Sequence, residues 1–146
     1  QARPGPGRFR AREFRPPVAT LEEVKAASEG ASAVLLVDAR PMEQYAGSAG
    51  AQMRRGHIPG AVSHPWKDDL EKRDLALVWK DVTALRQGYE AQGITPDRDI
   101  ILYCNSGTEA SHVFFALQYL LGYPRVRIYT GSWTQWAERE ELPVER

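Results

Sequence analysis

Asp99-Ile100-Ile101-Leu102-Tyr103-Cys104-Asn105-Ser106-Gly107-Thr108-Glu109-Ala110-Ser111-His112-Val113-Phe114-Phe115 is the stretch whose reading decides the fold. Its first residues, 100–103, are an apolar run rich in β-branched and aromatic side chains, which suits a strand covered on both faces. Beyond a loop of small polar residues, Ala110, Val113, Phe114, Leu117, Leu120 and Leu121 recur at helical spacing as one apolar stripe. Gly122 ends that helix and Pro124 prevents its continuation. The stretch therefore predicts strand, tight loop and helix, with the chain's one cysteine at the junction. Such a junction leaves N–H groups of the loop and first helical turn unpaired. They converge on the sulfur of Cys104, or on whatever that sulfur carries.

The flanking segments repeat the alternation. Residues 33–38, Ala33-Val34-Leu35-Leu36-Val37-Asp38, predict a second buried strand, ending in Asp38-Ala39-Arg40-Pro41. Before it, Thr20 and Glu23 form a capping box that opens a helix, and Gly30 stops it. Pro41 can begin a short helix reaching Tyr45, and residues 47–55 read as a loop. Gly56-His57-Ile58-Pro59-Gly60-Ala61-Val62 reads as a rigid turn feeding a short strand. Its glycines and proline imply a fixed backbone close to something else. Residues 66–78 are mixed and charged, and periodicity assigns them to no element. Residues 79–92 predict a helix presenting Val82, Leu85 and Tyr89. A strand over 126–129 and a helix opening at Gly131-Ser132-Trp133 complete the order. Alternating strands and helices imply an α/β fold, a parallel sheet with helices on both faces. In such sheets the working groups gather beyond the carboxyl ends of the strands. Here those ends carry Asp38 and Arg40, then Cys104, then residues 131–133.

At 146 residues the chain is one domain and can bury a real core. Its 19 basic and 19 acidic residues balance, which gives no reason to expect a nucleic-acid or membrane partner. No apolar run approaches the roughly 18 residues that span a bilayer. Residues 1–17 hold four prolines, two glycines and five arginines, and read as a linker to a domain over 18–146. A single cysteine excludes an internal disulfide and a vicinal dithiol enzyme. The three histidines are scattered, so no metal site is expected. No cofactor is called for, and a cytoplasmic setting is expected.

A cysteine at a strand–loop–helix junction differs from one inside a strand. The helix dipole and the loop amides favour an anion there, so the sulfur can attack as a thiolate or carry a transferred sulfur as a persulfide. Asn105, Ser106, Gly107 and Thr108 are small enough to let the backbone curl around it. Glu109 is the awkward residue. It suits the first turn of a helix but disfavours a neighbouring thiolate. Its side chain either points to solvent or shapes which substrates enter.

These pieces together resemble the rhodanese superfamily of sulfurtransferases. The matching motifs are Asp38-Ala39-Arg40, the Gly56–Ala61 turn, Tyr103-Cys104 with its loop, and Gly131-Ser132-Trp133. Residues 119–136 are most similar to the second, catalytic domain of two-domain thiosulfate or 3-mercaptopyruvate sulfurtransferases. The resemblance implies a rhodanese-like five-stranded parallel sheet and a first rhodanese domain preceding the linker. It implies that Cys104 takes a sulfane sulfur from a small-molecule donor and yields it to a thiophilic acceptor such as cyanide or a thiol. The loop Cys104, Asn105, Ser106, Gly107, Thr108 and Glu109, with the amide of Ala110, would cradle the persulfide.

Thiosulfate-using members tend to carry Arg and Lys after the cysteine, where this chain has neutral Asn105 and Ser106. Ser106-Gly107 instead matches mercaptopyruvate-type members, although Thr108-Glu109 departs from them. Gln44 stands where an arginine is frequent, and Arg54 or Arg55 would supply the lost charge. Trp133 either walls the pocket or covers the core. Asp38 and Arg40 are expected to pair, and His57 to fix loops through its ring. A phosphatase relative would need an arginine near Ala110 and Ser111, and none is there. The alternative is a non-catalytic rhodanese-like interaction module.

Overall fold

The computed structural model describes residues 17–146. The expected linker falls outside the described residues except for Pro17, whose carbonyl accepts from the Ile128 N–H at 2.8 Å. The capping box opens α1 (Leu21–Ser28): the Thr20 hydroxyl accepts from the Glu23 N–H and the Glu23 carboxylate from the Thr20 N–H. Then follow β1 (Leu35–Asp38), α2 (Met42–Tyr45), β2 (Val62–Ser63) and a 3₁₀ turn over Trp66–Asp69. A hairpin of β3 (Leu70–Arg73) and β4 (Ala76–Trp79) leads to α3 (Val82–Ala91), β5 (Ile100–Tyr103) and α4 (Thr108–Phe115). A π turn (Ala116–Leu120), β6 (Val126–Ile128) and α5 (Ser132–Ala137) end the order.

The sheet is parallel, in the order β2-β1-β5-β6, with Leu35 opposite Ile100, Asp38 opposite Tyr103 and Ile100 opposite Val126. Among the described residues the expected five strands are four, plus a parallel bridge from Val18 to Ile128 at the outer edge.

Side chains along β5 alternate as the pleat requires. Ile100, Leu102 and then Cys104 pack with Leu85 and Tyr89 of α3 and with Ala110 and Val113 of α4. Ile101 and Tyr103 face the other side, with Val24 of α1 and Trp133 and Trp136 of α5. Helices thus cover both faces, and the alternation directs the cysteine toward α4.

Residues 66–78, unassigned by periodicity, form the 3₁₀ turn and, with Trp79 from the expected helix, the hairpin, and they clamp a buried polar group. Asp69 is 1 % exposed, yet it accepts from Tyr89 Oη at 2.7 Å and lies 3.0 Å from His64 Nε2. Trp79 stacks on His112 with ring centres 4.0 Å apart, which fixes the hairpin against α4. α3 consequently starts at Val82, after Asp81, whose carboxylate caps the N–H groups of Thr83 and Ala84.

His112 Nε2 is buried without a hydrogen-bond partner, 3.8 Å from Asp69. Burial pushes its pKa below the ordinary imidazole value, against the pull of Asp69. A depressed histidine pKa supports the fold above the unfolded value and withdraws that support as pH falls through it. His112→Phe keeps the stack on Trp79 and removes the orphan nitrogen. It is expected to gain about 1 kcal/mol at neutral pH. Its lead over the natural chain should widen between about pH 7.5 and pH 5.5, read from urea midpoints. A lead that narrows toward acid would contradict the assignment.

Candidate active site

Asp38 and Arg40 lie at the carboxyl end of β1, both almost wholly buried. The guanidinium meets the carboxylate through Nε at 2.9 Å and Nη2 at 2.6 Å, and Nη2 also donates to the Gly56 carbonyl at 2.7 Å. Burial works against the charge on Arg40, but Asp38 outweighs it and holds the guanidinium above its ordinary pKa. Arg40 also lies 4.5 Å over the Trp133 ring. Trp133 is 1 % exposed within the core, so it supports Arg40 from below and lines no opening.

The pair anchors the turn at Gly56. Gly56 has φ +126°, and a Cβ there would come within 2.0 Å of the Glu145 carbonyl oxygen. That close approach is what the glycine serves. His57 exchanges backbone hydrogen bonds with Glu145, sets Nδ1 2.9 Å from the Tyr45 carbonyl and stacks on the Tyr45 ring at 3.7 Å. The next N–H, of Ile58, donates to Tyr103 Oη at 3.1 Å, tying the turn to the last residue before the cysteine.

Cys104 itself is 1 % exposed, so the loop rather than the thiol meets solvent. Its Sγ accepts from the Gly107 N–H at 3.1 Å. Gly107, at φ +98°, occupies the N-cap position of α4 and provides no side-chain cap. The curl that brings this amide to the sulfur needs the left-handed conformation glycine tolerates. The Cys104 N–H donates to Ser132 Oγ at 3.2 Å, and that hydroxyl donates to the Tyr129 carbonyl at 2.8 Å. Ser132 adopts φ +54°, uncommon for a residue with a Cβ. Its role was not separable in the sequence from the motif around it. The N–H groups of Trp133 and Thr134 bond the Cys104 and Asn105 carbonyls, so α5 holds the loop from behind. Asn105 Nδ2 donates to Gln44 Oε1 at 2.9 Å, fixing the loop to α2.

Glu109 sits in the first turn of α4 and is half-buried beside the Trp66 indole. Burial raises its carboxyl above the ordinary value, a shift that the Trp66 indole opposes and Asp38 adds to. Ser106 and Thr108 are exposed, while Ala110 is buried among the core side chains. Arg54 and Arg55 are placed elsewhere. Arg54 donates to the carbonyls of Arg139 and Leu142, at 2.6 and 2.5 Å, and so fastens the C-terminal segment. Arg55 is exposed, and its carbonyl accepts from Arg146 Nε. Among the described residues, no three His, Cys, Asp or Glu side chains are placed to hold a metal ion. No helix among them is long and apolar enough to cross a membrane.

The arrangement combines a thiol with an amide donor at the opening of a helix. Comparison with known proteins gives a consistent pattern. The sequence profile described as a rhodanese-like domain matches residues 20–139. The sulfur carrier protein TtuD of Thermus thermophilus is 40 % identical over 133 residues, covering 85 % of this chain and 45 % of that protein. The 3-mercaptopyruvate sulfurtransferase of Escherichia coli is 35 % identical, covering 75 % of this chain and 38 % of that one. The thiosulfate sulfurtransferase of Pseudomonas aeruginosa is 32 % identical, covering 80 % and 41 %. The chain therefore spans less than half the length of these relatives. Among solved structures, a variant of EanB in complex with ergothioneine superposes with a TM-score of 0.76 at 25 % identity, over 88 % of this chain and 32 % of that one.

Proposed function

Since this chain belongs to the rhodanese-like domain family, we propose that it is a sulfurtransferase working through a persulfide on Cys104. The single observation that carries this reading is the Gly107 N–H pointing at Cys104 Sγ from 3.1 Å, at the uncapped start of α4. A donor placed there stabilises a sulfur anion in preference to a neutral thiol.

In the first step the Cys104 thiolate attacks the donor sulfur, the outer sulfur of thiosulfate or the thiol sulfur of 3-mercaptopyruvate. A sulfur–sulfur bond forms to Cys104 and the donor's bond to that sulfur breaks. Thiosulfate would leave as sulfite, and 3-mercaptopyruvate as the pyruvate enolate, which then takes a proton. In the second step cyanide or a thiolate attacks the outer sulfur and Cys104 departs as thiolate. Asp38, Arg40 and His57 position the loop and touch no reacting atom. Residues 18–146 are the sulfur-transferring unit in this reading. A cytoplasmic setting, which keeps acceptor thiols reduced, suits the chemistry.

The near-complete burial of Cys104 favours a second reading, a non-catalytic interaction module. One experiment separates the two. The protein is incubated with thiosulfate or 3-mercaptopyruvate and its intact mass measured, then cyanide is added and thiocyanate assayed. A gain of one sulfur atom, lost again as thiocyanate forms, is the expected result. An unchanged mass with both donors, and no thiocyanate, would leave the module.

A further inference from the structure

The hydrogen bonds between β5 and β6 keep the parallel pattern almost to the cysteine and then part. The Ile100 N–H donates to the Arg125 carbonyl and the Tyr129 N–H to the Leu102 carbonyl, both at 2.9 Å. That is what the register, Ile100 opposite Val126 and Leu102 opposite Ile128, requires. The next step would set residue 104 opposite residue 130. The Cys104 N–H would then donate to the Tyr129 carbonyl, and the Gly131 N–H to the Cys104 carbonyl. A hydroxyl stands in the first of these bonds. The Cys104 N–H donates to Ser132 Oγ at 3.2 Å, and that hydroxyl donates to the Tyr129 carbonyl at 2.8 Å. The second passes to Trp133, whose N–H donates to the Cys104 carbonyl at 2.9 Å. The ladder therefore opens at Cys104, and one side chain bridges the gap. Ser132 is fully buried and holds φ +54°, a conformation that glycine adopts without steric cost. A strained residue in such a place directs attention to what its side chain does.

We propose that Ser132 is a positioning residue for Cys104: its hydroxyl wedges β5 and β6 apart by one rung, so that the chain leaves the sheet at the cysteine and curls until the Gly107 N–H meets Sγ. This rests on the sulfur-transfer reading above and extends it to the backbone that carries the nucleophile. Ser132 touches no reacting atom. Without its hydroxyl, the Cys104 N–H and the Tyr129 carbonyl lose the partner they share, and buried backbone groups do not stay unpaired. They satisfy each other by closing the missing rung. Closure draws the cysteine backbone toward β6 and its sulfur off the Gly107 amide, the donor that favours the anion. The wedge thus separates two quantities that move together when a buried side chain only fills space. Reactivity is lost while stability is kept.

The natural chain is compared with Ser132→Gly and Ser132→Ala, with Cys104→Ser as the spectroscopic blank. Thiolate is read from its ultraviolet absorbance between about pH 5 and pH 10, the span in which a thiol ionises. Sulfur uptake from thiosulfate is followed by intact mass, and stability by urea midpoint. Ser132→Gly, freed of the left-handed strain, should unfold at about the same urea concentration as the natural chain, and Ser132→Ala, which keeps the strain, at a lower one. At neutral pH both variants should hold about tenfold less thiolate and take up sulfur about tenfold more slowly, with the gap closing at the alkaline end. A change in access to the sulfur would persist at alkaline pH, so convergence there isolates the position of the thiol. An unmoved thiolate titration in both variants, with or without a lower urea midpoint, overturns the proposal, and sulfur transfer still stands if the natural chain takes up sulfur. If the titration shifts as expected but no protein takes up sulfur, the wedge stands and the sulfur-transfer reading falls.

Discussion

Cys104→Ser is expected to abolish sulfur uptake and to lower thiocyanate formation by about a thousandfold or more, a barrier increase of about 4 kcal/mol. The hydroxyl is not ionised near neutral pH and forms no persulfide, so both steps of the proposed cycle lose their nucleophile. The fold should barely notice. Serine oxygen can accept from the Gly107 N–H as the sulfur does, and the strand register around it is set by Ile100 to Tyr103 against β1 and β6. Exchanging a buried thiol for a hydroxyl costs about 1 kcal/mol when the hydroxyl is hydrogen-bonded. The informative quantity is the contrast between a large kinetic loss and a small shift in urea midpoint. A cysteine that merely fills space beside Ala110 and Val113 would give the reverse, a stability loss with nothing to lose in turnover.

What was readable in the sequence follows from how local each signal is. β5 was legible to the residue because four consecutive side chains are buried on alternating faces of a sheet covered on both sides. The α1 capping box was legible because its partners are three residues apart. The apolar stripe after the loop reads as one continuous helix; of its positions Ala110, Val113, Leu117 and Leu121 are buried, Phe114 and Leu120 are partly so, and the buried Ala116 lies outside it. Periodicity does not report that the Leu121 N–H reaches back five residues to Ala116, which makes the last turn a π turn. The β3–β4 hairpin was illegible for a different reason. Its turn uses Asp74 at φ +52° and an exposed Leu75 in place of an Asn-Gly signal. What holds it is tertiary: Asp69 against Tyr89 and Trp79 against His112. The candidate site divides along the same line. The loop and the Asp38–Arg40 pair are contiguous motifs and could be named. The burial of Glu109 beside Trp66 depends on a contact distant along the chain. The occupation of Arg54 depends on the C-terminal segment, and neither leaves a local trace.

The largest stability effect is expected at the Asp38–Arg40 pair, and a second substitution should recover much of it. Asp38→Ala leaves a guanidinium that is 1 % exposed with a single side-chain hydrogen bond, to the Gly56 carbonyl. Stranding one member of a buried pair costs about 3–5 kcal/mol, a large share of the 5–15 kcal/mol that holds a domain together. The damage should also reach the site. Arg40 fixes the Gly56 turn, and that turn holds Tyr103 through the Ile58 N–H, one residue from the nucleophile. Adding Arg40→Met to Asp38→Ala removes the orphaned charge while filling its space over Trp133 with an apolar chain. Buried pairs replaced as a unit often lose little stability, so the double variant should unfold at higher urea than Asp38→Ala alone. Its sulfur-transfer rate should nevertheless stay low, because a methionine makes no bond to the Gly56 carbonyl. Urea midpoints of the two variants, read beside their thiocyanate rates, separate what the ion pair does for the fold from what it does for the loop. A double variant less stable than the single one would mean that the guanidinium is held mainly by Gly56 and Trp133 and not by the carboxylate.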